Sequence, residues 1–123
     1  MRSFYYSLVA AALLTACAGK GYAVDPARVA DGMLVGPNGM TLYIFDKDST
    51  GKSTCYDKCA VNWPPFYAEP GAKASGDYSL VTRDDGKQMW AYKGKPLYYW
   101  IKDKKPGDKT GEGVGDVWWI VKP

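Results

Sequence analysis

Two cysteines four residues apart, a group of aspartates and a heavy load of aromatics are the residues of this 123-residue chain whose types and spacing could do chemistry. Histidine is absent, which removes the usual general base near pH 7 and the commonest metal ligand. Cys55 and Cys59 can close a disulfide if their segment folds as a helical turn or a tight loop, and an oxidising compartment favours that bridge. The competing reading is a redox-active pair. Against it, the spacing is not Cys-x-x-Cys, and only Lys52 and Lys58 stand nearby to lower a thiol pKa. Asp46-x-Asp48-x-Thr50-Gly51, followed by Asp57, partly imitates a calcium loop, but Asp57 stands where a bidentate Glu is wanted and no flanking helices are expected. Met33, Met40 and Met89 could bind copper, yet without His they read as core filling. No metal or cofactor is therefore assigned. No nucleophile with a partner base and no phosphate-cradling Gly loop emerges either, so the expectation is a protein that is not an enzyme.

The elements that must position these residues are bounded by composition. Hydrophobic residues make up 46% and charged residues 24%, while 14 Gly and 8 Pro interrupt the chain too often for a coiled coil or a helix bundle. A net charge of +3 is too small to imply a nucleic-acid partner. Residues 1–16 read as a secretory signal, with Arg2 followed by an apolar run from Phe4 to Leu14. Leu14-Thr15-Ala16-Cys17 resembles a bacterial lipobox, which makes Cys17 the acylated N-terminus of the mature chain and the membrane its first partner. The alternative is cleavage after Gly21-Tyr22-Ala23, leaving no lipid. Residues 17–26 form the tether in the first reading, and Ala18 in place of Asp implies the periplasmic face of the outer membrane where a bacterium has two membranes.

Shifting the chain against itself by 55 positions aligns Gly39 to Asp48 with Gly94 to Asp103, and Trp63 with Trp118. Two tandem pseudo-repeats, about 27–68 and 77–123, therefore make up a single domain over 27–123. Turn signals at Asp31-Gly32, Gly36-Pro37-Asn38-Gly39, Asp85-Gly86 and Lys93-Gly94 precede alternating apolar runs. The predicted fold is all-β, with antiparallel strands packed as one compact sandwich or barrel-like domain. In the second copy the strands are placed at Tyr78–Thr82, Gln88–Tyr92, Leu97–Ile101 and Val117–Val121. Asp48 and Asp103 end equivalent strands, where they are expected to accept backbone N–H bonds from the loops that follow.

Tyr43-x-Phe45-x-x-Asp48 and Tyr98-x-Trp100-x-x-Asp103 match the Tyr-x-[Phe/Trp/Tyr]-x-x-Asp signature of a family of secreted bacterial repeat lipoproteins. Gly51-Lys52-Ser53-x-Cys55 with Cys59-Ala60-x-x-Trp63-Pro64-Pro65 looks like that family's first unit, and Trp90-x-Tyr92-x-Gly94-x-Pro96-Leu97-Tyr98 like its second. The resemblance covers about residues 30–122 and implies an exported, lipid-anchored, non-catalytic repeat domain whose biochemical role is not established. Relatives often carry His after the last Trp; Trp119 holds that place here, which weakens any metal site carried over from them.

Most of the aromatics are expected in the core, with Trp63, Tyr99 and Trp119 as candidate ligand contacts and the loops 49–63 and 104–118 as the exposed surface. Lysines gathered around the second motif read as a solvated face, or as a contact for anionic headgroups. The leading expectation is a cell-envelope lipoprotein acting as a non-catalytic accessory or interaction module, with an envelope protein or a glycan as partner. The alternative is a small exported redox or metal-handling protein using Cys55, Cys59 and nearby carboxylates.

Overall fold

The computed structural model describes residues 25–123; the signal segment, Cys17 and most of the tether lie outside the described residues. Strands β1 (Arg28–Ala30) and β2 (Met33–Val35) form a hairpin closed by Asp31 and Gly32, with φ of 52° and 76°. Two successive positive φ values give a two-residue turn whose twist matches that of the flanking strands, which explains the Asp-Gly pair at this position. Strands β4 (Tyr78–Thr82) and β5 (Gln88–Tyr92) pair over five residues, at the positions expected from the sequence. Lys93 and Gly94, again both at positive φ, turn the chain into β6 (Lys95–Pro96). Strand β3 (Tyr43–Phe45) pairs antiparallel with β7 (Trp118–Ile120).

Among the described residues the protein is nearly all-β, with one short helix, α1 (Lys58–Asn62), and a 3-10 turn at Val114–Asp116. The strands form three small sheets and no closed barrel. The strand expected over Leu97–Ile101 is not continuous. Pro96 has no N–H to extend a ladder, and Tyr98 instead makes isolated bridges to Tyr43 on one side and Pro65 on the other.

These bridges join the repeats reciprocally. Tyr43 N–H donates to Tyr98 O at 2.8 Å and Tyr98 N–H to Tyr43 O at 2.9 Å. Asp46 N–H donates to Val117 O and its counterpart Ile101 N–H to Asn62 O. Leu34 N–H reaches Val121 O, and Trp90 N–H reaches Phe66 O. The return segment of each repeat thus bonds to strands of the other, around a pseudo-two-fold axis that passes between Tyr43 and Tyr98. Burial follows the same arrangement: one apolar cluster contains Leu34, Leu42, Phe66, Trp90 and Leu97, and a second contains Tyr43, Trp63, Met89, Tyr98 and Trp118.

Candidate functional site

The doubled signature meets at the pseudo-two-fold axis. Tyr98, fully buried, donates its hydroxyl to Asp48 Oδ2 at 2.6 Å, and Tyr43, also fully buried, donates to Asp103 Oδ2 at 2.7 Å. The tyrosine of each repeat therefore bonds to the aspartate of the other. The second oxygen of each carboxylate holds the start of its own loop: Asp48 Oδ1 accepts from Thr54 N–H and Oγ1, and Asp103 Oδ1 from Thr110 N–H and Oγ1. Burial raises the Tyr98 and Tyr43 hydroxyls well above the ordinary phenol range, and the neighbouring carboxylates raise them further. Burial also raises Asp48, against the opposing pull of the hydrogen bonds from Tyr98 and Thr54 and the charge of Arg83. Both tyrosines stay protonated donors at neutral pH.

The aromatic partners follow the same symmetry. Phe45, Trp118, Trp63 and Trp100 stack as one column, with ring centroids 4.1, 3.8 and 3.9 Å apart. Tyr43 meets the edge of Trp63 at 5.3 Å and Tyr98 meets Trp118 at 5.2 Å. Rings from the two repeats alternate along the column, and Trp63 and Trp118, equivalent in sequence, form its centre. Such pairs stabilise beyond their buried area, by about 0.5–1.5 kcal/mol each.

Cys55 and Cys59 are joined by a disulfide, their Cα atoms 5.2 Å apart, across the start of α1. Arg83, 4% exposed, donates to Cys55 O and Ser53 Oγ, both at 2.8 Å, and lies over the Tyr56 ring. Ser53 Oγ lies 2.6 Å from the Tyr98 hydroxyl, so the loop, the disulfide and the motif centre are linked in one buried network. No local pattern marks Arg83, since an arginine after a strand normally belongs to a solvated turn. Asp46, first of the calcium-like positions, accepts the Trp119 indole N–H at 2.8 Å, and Asp57 lies exposed before α1. Among the described residues, no three of His, Cys, Asp and Glu gather where they could hold a metal ion. Met33 and Met89 are buried, within weak sulfur contact of Thr41 and Arg83 respectively.

Of the three aromatics expected at a ligand surface, Trp63 has both faces covered by Trp118 and Trp100. Tyr99 is half-buried against Phe66, and burial pushes its hydroxyl up to about 12. Trp119 is half-buried and held by Asp46. Among the described residues the most exposed ring is Tyr67, at 44%. It lies between two hollows of about 490 and 530 Å³, the first lined also by Glu69 and Lys87, the second by Glu69, Phe66, Trp90, Asp25 and Pro37. No sequence pattern singles out Tyr67: Pro65 and Phe66 are both buried, so alternation does not specify that the next side chain turns outward.

A family model described as a secreted repeat of unknown function matches residues 27–67 and 79–122. The chain belongs to that family. Both units of the secreted repeat contribute to the motif centre, Tyr43 and Asp48 from the first and Tyr98 and Asp103 from the second. No curated protein and no solved structure matches the chain.

Proposed function

We propose that this secreted repeat protein is a lipid-anchored, non-catalytic accessory module of the cell envelope, held by Cys17 and presenting the Tyr67 surface to an envelope protein or glycan. The observation that carries this reading is how the chemically capable residues are engaged. The motif tyrosines and aspartates bond to each other across the repeats, and Cys55 and Cys59 are bonded together. An exposed ring beside apolar hollows with carboxylates is the kind of surface that remains for recognition. The lipobox-like tetrapeptide supports the anchor, and Ala18 supports the outer membrane as its location.

Two measurements test the proposal on intact envelopes. Mass spectrometry of the mature N-terminus is expected to find a diacylated Cys17; a chain beginning at Val24 without lipid overturns the anchor. A photo-crosslinker placed at position 67 is expected to capture one dominant envelope component, and Tyr67→Ala to weaken that capture in an otherwise folded protein. Crosslinking no stronger than at exposed Val61 on the helix overturns the recognition surface.

A further inference from the structure

On the edge formed by β6 and the end of β7, three lysines surround an apolar hollow of about 190 Å³. Ile44, Tyr92, Ile120 and Val121 line it, with the exposed Lys93, Lys95 and Lys122 around it. Among the described residues the one ion pair is Lys105–Asp108, so none of these three lysines is matched by a carboxylate. Lys93 Nζ instead stands 5.4 Å from the Tyr92 ring centroid. The adjoining hollow shares Ile44 and Lys95 and is lined also by Asp46 and Asp48. Asp46 accepts the Trp119 indole N–H and Asp48 the Tyr98 and Thr54 donors, neutral partners that leave their negative charge in place, so the positive side of the hollow is the one of Lys93 and Lys122. Apolar lining with unmatched positive charge around it is complementary to an amphiphile with an anionic head.

The path of the chain favours a membrane surface over a soluble amphiphile. Ala27, near the start of the described residues, belongs to the cluster against which Ile44 and Tyr92 pack. Asp25 is close enough to Tyr78 to act on its hydroxyl electrostatically, and the Tyr78 ring lies 5.2 Å from Tyr92. Cys17 precedes Asp25 by eight residues, a reach of at most about 28 Å. A lipid on Cys17 would thus keep the domain within that reach of a leaflet, and the lysine-rimmed edge offers a face whose charge suits an anionic one.

We propose that the hollow is a docking surface for an anionic phospholipid leaflet. Headgroup phosphates lie against Lys93, Lys95 and Lys122, and the upper acyl segments cover Ile44, Ile120 and Val121. The attraction to an anionic surface is additive over nearby lysines and fades within a Debye length, so it acts only when the face lies on the membrane. The proposal draws its orientation from the lipid-anchor reading, but the docking itself can be measured without the lipid.

The mature chain without its signal or lipid, residues 18–123, is mixed with phosphatidylcholine vesicles, with and without one-third phosphatidylglycerol, and binding is followed by co-sedimentation. Preferential binding to the anionic vesicles is expected, weakened about tenfold or more by Lys93→Gln/Lys95→Gln/Lys122→Gln and abolished in 1 M salt. A control with equal charge loss, Lys102→Gln/Lys104→Gln/Lys109→Gln, is expected to bind within about threefold of the parent. Near-UV circular dichroism confirms that both variants keep the aromatic column. Equal weakening by the two triple variants, or no preference for phosphatidylglycerol, overturns the docking surface. An unlipidated Cys17 in cells would sink the anchor while leaving these vesicle measurements unchanged, so the two readings fail separately.

Discussion

Replacing Tyr98 with Phe takes one donor from Asp48 and leaves a partly buried carboxylate with only the Thr54 bonds, while Tyr43→Phe does the same to Asp103. Hydrogen bonds to charged groups contribute about 1.5–3 kcal/mol, so each substitution is expected to lower unfolding free energy by that amount in urea denaturation. A loss below about 0.5 kcal/mol would mean that water replaces the hydroxyl and the centre is not sealed. The same tyrosines set the alkaline limit. Tyr43, Tyr98, Tyr78 and Tyr99 all have folded-state pKa values raised by burial, the last two to about 12. A raised folded value gives stability that is complete below the unfolded pKa near 10 and is lost as pH rises towards the folded value. Unfolding is therefore expected above pH 10, with tyrosinate absorbance appearing together with loss of the near-UV signal. Tyrosinate formation by these residues in a still-folded chain would contradict it. Asp48 has the same sign at the acid end: its raised pKa means that protonating it does not remove stability, so acid sensitivity must come from other groups.

At the scale of elements, the loop from Asp46 to Trp63 is fixed by three kinds of bond: Asp48 to Thr54, Arg83 to Ser53 and Cys55 O, and the disulfide. The equivalent loop of the second repeat has the Asp103–Thr110 bonds, Thr41 Oγ1 donating to Asp108 O, and Gly111 N–H donating to the Tyr43 hydroxyl, with no disulfide. One loop of the pair is therefore held without a covalent link. Closing so short a ring contributes about 2 kcal/mol in the chain-entropy model. Cys55→Ser/Cys59→Ser is expected to lower Tm by about 10 °C and to leave the fold intact, read by thermal melts and near-UV circular dichroism. Collapse of the fold would show that the bridge orders the whole repeat. The hairpins were legible in the sequence because Asp31-Gly32 and Lys93-Gly94 specify their turns locally, and β4 and β5 because their residues alternate over a full strand length. The interruption after Pro96 could be read from the sequence, since proline has no N–H for the ladder, whereas the bridges of Tyr98 to Tyr43 and Pro65 could not, since they depend on what the other repeat offers as a partner. The same applies to Arg83: nothing local distinguishes a solvated arginine from one that donates through Nη1 to Ser53 and Nη2 to Cys55 O while its Nε is buried without a partner.

Across the whole molecule, the 55-residue offset identified equivalent positions but could not say which of them touch. The contacts are crossed: Tyr98 bonds to Asp48, Tyr43 to Asp103, and β7 pairs with β3. The four-ring column alternates between repeats, so removing one repeat would leave Trp63 or Trp118 without stacking partners on either face. Neither repeat then has a complete interior. Fragments covering residues 25–73 and 74–123 are accordingly expected to be unfolded when separate and to assemble one-to-one when mixed, regaining the near-UV signal of the column. Because the axis relates like to like, the first fragment at high concentration is also expected to pair weakly with itself, Tyr43 taking the place of Tyr98. Analytical ultracentrifugation separates these species. Independent folding of either fragment as a monomer would show that the crossed return segments are a consequence of proximity and not the contact that forms the domain.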